Sequence, residues 1–75
     1  MTTQDYYNLP QDEDGWRKLP NGNKFKLGLG CIIGKYASIG DGAQIGYRAI
    51  IGNAAKIGNG AYIENNVILR NNEKQ

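Results

Sequence analysis

The sequence predicts an all-β fold, a solenoid of parallel strands with three six-residue sides to each coil. Three observations carry this reading. An aliphatic residue recurs every sixth position, at Leu27, Ile33, Ile39, Ile45, Ile51, Ile57, Ile63 and Leu69. A small residue precedes most of these by two positions, at Cys31, Ala37, Ala43, Ala49, Ala55 and Ala61, with Val67 last. Glycine follows most of them, and the corner after it draws on Asn, Gly, Asp and Tyr. A period of six fits neither a helical face nor one alternating strand, but it fits a coil with three sides. In each side the small and the aliphatic residue point inward and the residue between them points outward. Glycine and its polar followers take the corners, where positive φ is often needed.

The elements follow in chain order. Residues 1–14 are polar, with acidic residues at Asp12, Glu13 and Asp14, and read as a flexible acidic arm or a segment that orders on a partner. Residues 15–26 read as a short hairpin or capping hook. Trp16 and Leu19 precede Asn21-Gly22, and Phe25 follows it; Asn-Gly between apolar-containing stretches is a hairpin signal, because both residues tolerate positive φ. The repeat is expected over residues 27–75.

Residues 27–74 resemble the hexapeptide-repeat proteins, on the evidence of five successive units in the run IGKYASIGDGAQIGYRAIIGNAAKIGNGAY and the flanking units in the same register. The resemblance implies a left-handed parallel β-helix of about two and two-thirds coils. It also implies a homotrimer packed face to face about a threefold axis.

Three sides per coil stack residues that lie 18 apart, which sorts the outward residues by face. One face carries Lys26, Gln44 and Tyr62, another Ser38, Lys56 and Lys74, and the third Ile32, Ile50 and Ile68. Isoleucine is a good strand former, and one on the outside needs no explanation. Three stacked on one face mark a subunit interface. Size points the same way. A chain of 75 residues builds only a small core. One cysteine cannot make an internal disulfide, and a chain with no histidine and no cysteine pair offers no zinc set. Oligomerisation remains as the source of added stability.

Composition excludes several classes. A net charge of +2 argues against a strong nucleic-acid binder. No basic start followed by an apolar stretch suggests a secretion signal, and no apolar run reaches membrane-spanning length, so a cytoplasmic protein is expected. Acyltransferases and carbonic anhydrases with this repeat rely on histidine, as general base or as metal ligand, and the chain has none. No enzyme activity, cofactor or metal is therefore expected. Cys31 falls at an inward position and reads as a packing residue, since nothing nearby would lower its pKa. Asp41 and Glu64 lie on different corners and do not form an acid/base pair.

The corners beside the isoleucine face carry the candidate binding residues. Tyr47 and Arg48 stand on one side, Lys35 and Tyr36 on the other. In a trimer these corners would rim the grooves between subunits. Aromatic and cationic side chains together suit a flat anionic ligand such as a nucleotide, the ring stacking while the cation holds a phosphate or carboxylate. Trp16 and Arg17 would join them if the hook folds over the top coil. By analogy with small phage proteins that sequester host immune nucleotides, the expected function is non-catalytic ligand sequestration, as in counter-defence. The alternatives are a protein-binding inhibitor or adaptor acting on a host protein, a structural trimerisation module, and a degenerate acyltransferase.

Overall fold

The computed structural model describes residues 1–75. Nine short strands, β1 (Arg17–Lys18), β2 (Lys24–Leu27), β3 (Ile32–Ile33), β4 (Ser38–Ile39), β5 (Ala43–Ile45), β6 (Ile50–Ile51), β7 (Lys56–Ile57), β8 (Tyr62–Ile63) and β9 (Ile68–Leu69), follow one helix, α1 (Thr3–Tyr7). Consecutive strands of the repeat never pair. Each pairs instead, in parallel, with the strand three further along, as β2-β5-β8, β3-β6-β9 and β4-β7. The register joins Leu27 to Ile45, Ile32 to Ile50, Ser38 to Lys56 and Gln44 to Tyr62. This is a parallel β-helix with three flat sides and a stacking interval of 18 residues, which a bridge from Lys56 to Lys74 carries to the end of the chain.

Strand alternation sorts the side chains as the period demands. Ile33, Ile39, Ile45, Ile51, Ile57, Ile63 and Leu69 are all buried, with Cys31, Ala43, Ala49 and Ala55 between them. Every corner has its sixth residue at positive φ, from Gly30 through Tyr36, Gly42, Arg48, Ala54, Gly60 and Asn66 to Asn72. Glycine takes this conformation at no steric cost. The glycine after each aliphatic residue has another cause. A Cβ on Gly34 or Gly52 would lie about 2.5 Å from the backbone of the next coil.

The core begins two residues earlier than residue 27. Phe25 is fully buried and pairs in register with Ala43, so it fills the inward position that small residues hold elsewhere. The hook over 15–26 is a hairpin: β1 pairs antiparallel with β2 through Arg17 with Phe25 and Lys18 with Lys24.

The largest departure from the sequence reading concerns residues 1–14, expected as a flexible acidic arm. They lie folded across the open end of the helix. Thr2 caps α1 in a reciprocal capping box with Asp5. Those hydrogen bonds to Thr2 hold the Asp5 carboxyl below its ordinary pKa. Tyr6 is buried edge-on against Phe25, with ring centroids 6.1 Å apart. Two side chains satisfy backbone groups that have no coil above them. Thr3 Oγ1 accepts from the Ile33 amide, and the Tyr7 hydroxyl accepts from the Cys31 amide and donates to the Gly28 carbonyl. Tyr6 and Tyr7 seat the segment on the coil, while the Asp5 carboxylate shapes it from within. Asp12 is equally structural, its Oδ1 accepting from the Asp14 and Trp16 amides.

Candidate functional site

The three isoleucines share one face, as their spacing requires. Ile32, Ile50 and Ile68 are aligned on β3, β6 and β9 and are 57%, 39% and 65% exposed. Nothing in the chain covers them. Their exposed surface amounts to about one and a half isoleucine side chains, worth roughly 3 kcal/mol per subunit if buried. That is about half of what three fully exposed isoleucines would supply, because each side chain already packs against its stacked neighbours.

The corners on either side hold the predicted binding residues at unusual backbone positions. Tyr36 and Arg48 occupy the left-handed position of their corners, at φ of 62° and 59°. This conformation costs an ordinary residue about 1–2 kcal/mol. Tyr36 and Tyr47 are highly exposed. Lys35, Tyr36 and Asn53 line a cavity of about 540 Å³ whose other wall is the start of α1, with Thr3 and Asp5. Tyr47 lines a cleft on the opposite side of the isoleucine face.

A hydrogen-bond ladder runs down the corners and gives Tyr47 its significance. At five corners the residue two places after the aliphatic position sends a side-chain oxygen to a backbone amide of the coil above. Asn53 accepts from Lys35, Asn59 from Asp41, Asn65 from Tyr47 and Asn71 from Asn53, at 2.8–2.9 Å. Asp41 accepts from Lys24 in the same way at 2.8 Å. Tyr47 stands in this series one coil below Leu29 and has no oxygen that can serve a neighbouring amide. The ladder is broken at that one rung. Its neighbour Arg48 departs from the glycine or asparagine that favours the adjacent left-handed position. The recurrent Asn was visible in the sequence, but it read as a turn former; its role depends on which way the side chain points along the coil axis.

Trp16 and Arg17 do not join these corners. Trp16 lies on the face of Lys26, whose Nζ sits 4.8 Å from the ring centroid. Arg17 is committed to the cap. Its Nη1 donates to the Tyr7 and Leu9 carbonyls at 2.9 and 3.0 Å, and its guanidinium lies 5.7 Å from the Tyr7 ring. Its Nε is buried without a partner. A cation held by three internal contacts is not free to grip a ligand at the isoleucine face. The hairpin rises on the Lys26 side of the top coil, which carries both residues away from the isoleucine face.

Cys31 is buried, as expected from its spacing, and its Sγ lies 3.0 Å from the Gly46 carbonyl. No three His, Cys, Asp or Glu side chains come together, and no helix is long and apolar enough to cross a membrane.

Residues 36–71 match the family model described as Bacterial transferase hexapeptide (six repeats). That match implies a left-handed winding for the β-helix, and proteins of this kind typically form homotrimers. No curated protein and no solved structure matches the chain.

Proposed function

We propose that this chain, a hexapeptide-repeat protein, works without catalysis, as a homotrimer that holds a small anionic ligand in the grooves between its subunits. The β-helix of about two and two-thirds coils buries its isoleucine face at a threefold axis. The Tyr47-Arg48 corner of one subunit then faces the Lys35-Tyr36 corner of the next. One observation carries the reading. At residue 47 the chain forgoes the ladder acceptor of its own repeat, beside Arg48, which like Tyr36 and Ala54 is neither Gly nor Asn at a positive-φ corner. Strained or unsatisfied positions of this kind concentrate where structure serves binding. The side chains placed there, a phenol and a guanidinium, are able to stack on a flat ring and pair with an anionic group.

The non-catalytic part of the reading is supported by the sequence. With no histidine, the chain lacks the base that acyl transfer on this fold uses. The test is native mass spectrometry of protein purified from cells. The expected result is a trimer with a discrete extra mass, and a bare trimer for the variant combining Tyr47→Ala with Arg48→Ala. Retention of the extra mass by that variant would refute the groove.

A further inference from the structure

A second site is built on the face that carries Lys26; it shares Tyr47 with the corner groove but needs neither Arg48 nor the trimer. Lys26, Gln44 and Tyr62 stack in register on this face, and Trp16, the residue before β1, tops the column through its ring against the Lys26 ammonium. Four stacked side chains at about 4.8 Å per step span about 14 Å. Beside the column lies a cleft of about 290 Å³, lined by Gln11, Lys26, Gln44, Tyr47, Tyr62 and Asn65 with glycines at its floor.

The chemistry of this lining is selective. Tyr62 and Tyr47 expose 60% and 57% of their surface. Three amides (Gln11, Gln44 and Asn65) offer donors and acceptors together. Asn65 spends its Oδ1 on the Tyr47 amide, which leaves its NH₂ for other acceptors. Lys26 is the one charged group, no carboxylate lines the cleft, and its ammonium is anchored over Trp16. A nucleic-acid strand would need a run of cations along its phosphates, which this cleft lacks. An apolar peptide would find few apolar side chains among the amides.

We infer that this face binds an acidic oligosaccharide, a short chain of pyranose rings bearing a carboxylate. The C–H-rich face of each ring lies on a tyrosine, whose π-face is electronegative. Paired hydroxyls meet the amides, and Lys26 takes the carboxylate. Gln44 and Tyr62 stand on strands, and Tyr47 and Asn65 on corners tied together by the Asn65–Tyr47 hydrogen bond, so apart from the release of Lys26 from Trp16 little order has to be gained on binding.

The experiment titrates the intact protein with tetragalacturonate, following the fluorescence of its single tryptophan and the heat of binding. Saturable binding is expected, with a quenched or shifted Trp16 signal because the ligand draws Lys26 from the ring. Tyr62→Ala and Gln44→Ala should each weaken it about tenfold or more, corresponding to 1.4 kcal/mol, while Tyr62→Phe retains it and Arg48→Ala leaves it unchanged. Absence of saturable binding to the intact protein overturns the proposal. Equal affinity for neutral maltotetraose overturns the acidic assignment. Binding lost in Arg48→Ala but kept in Tyr62→Ala would place the sugar in the corner groove, refuting this site and leaving the earlier reading intact.

Discussion

Restoring the missing rung should stabilise the protein and cost it its ligand. The substitution is Tyr47→Asn. At the five intact rungs a side-chain oxygen accepts from the coil above at 2.8–2.9 Å. An asparagine at residue 47 lies in the same relation to the Leu29 amide, one stacking interval away, and needs no backbone movement. A hydrogen bond of this kind contributes about 1 kcal/mol net, and a partly exposed corner puts it at the low end of the range. The tyrosine it replaces is more than half exposed, so little buried surface is lost. For a domain of this length 1 kcal/mol raises Tm by about 4–8 °C. The assay is thermal unfolding by circular dichroism at one fixed protein concentration, beside Tyr47→Ala, which removes the ring without supplying an acceptor. The account expects a rise for Tyr47→Asn only, and loss of the bound mass in both. An unchanged or lower Tm for Tyr47→Asn, or full ligand retention, would refute the argument that stability is traded for binding at this corner.

Arg48→Gly should relieve about 1–2 kcal/mol of left-handed strain and give back up to about 1 kcal/mol through a freer unfolded chain, so Tm holds or rises slightly while ligand binding falls; a clear drop in Tm would show that Arg48 supports the fold. Ile50→Asp should dissociate the assembly, since it puts a charge at the centre of the apolar column, and sedimentation showing unchanged oligomers would remove that face from the interface. Tyr6→Ala should cost about 3 kcal/mol by opening the cap over Phe25, which urea unfolding would measure. Stability should also fall at alkaline pH. Burial raises the folded-state pKa of Tyr6, helped by the nearby Asp5 charge, and burial likewise raises that of Tyr7. Their contribution is therefore complete below the ordinary tyrosine value of 10.0 and is lost as pH rises through the folded values. Tyr6→Phe should flatten that decline.

The repeat was legible because its signal is periodic. One aliphatic and one small residue per unit fix the register, and a slip by one residue would turn Ile33 outward and Ile32 inward. The isoleucine face followed by counting, and so did the burial of Cys31. The cap was not legible, because Thr3 and Tyr7 act on groups 21–30 residues away, at Gly28, Cys31 and Ile33, and Tyr6 packs on Phe25. No local pattern announces a side chain that serves a distant backbone. Phe25 was read as part of the hook, since a large ring does not match the small residues below it; it fits because the top coil is closed by Tyr6 instead of another coil. Arg17 was misplaced for the same reason, as its partners at Tyr7 and Leu9 exist only once the cap has folded. At the candidate site the sequence identified the residue types at the corners. It did not reveal that Tyr47 breaks a ladder, which appears only when the asparagines are seen to point along the coil axis.

The central claim is that the isoleucine face is buried between three subunits, since the groove exists only if it is. Sedimentation equilibrium of the unmodified protein tests this most directly. The account predicts a single species of three chains that persists on dilution to low micromolar concentration. A stable monomer would contradict it, leaving Ile32, Ile50 and Ile68 open to solvent and the Tyr47-Arg48 and Lys35-Tyr36 corners apart.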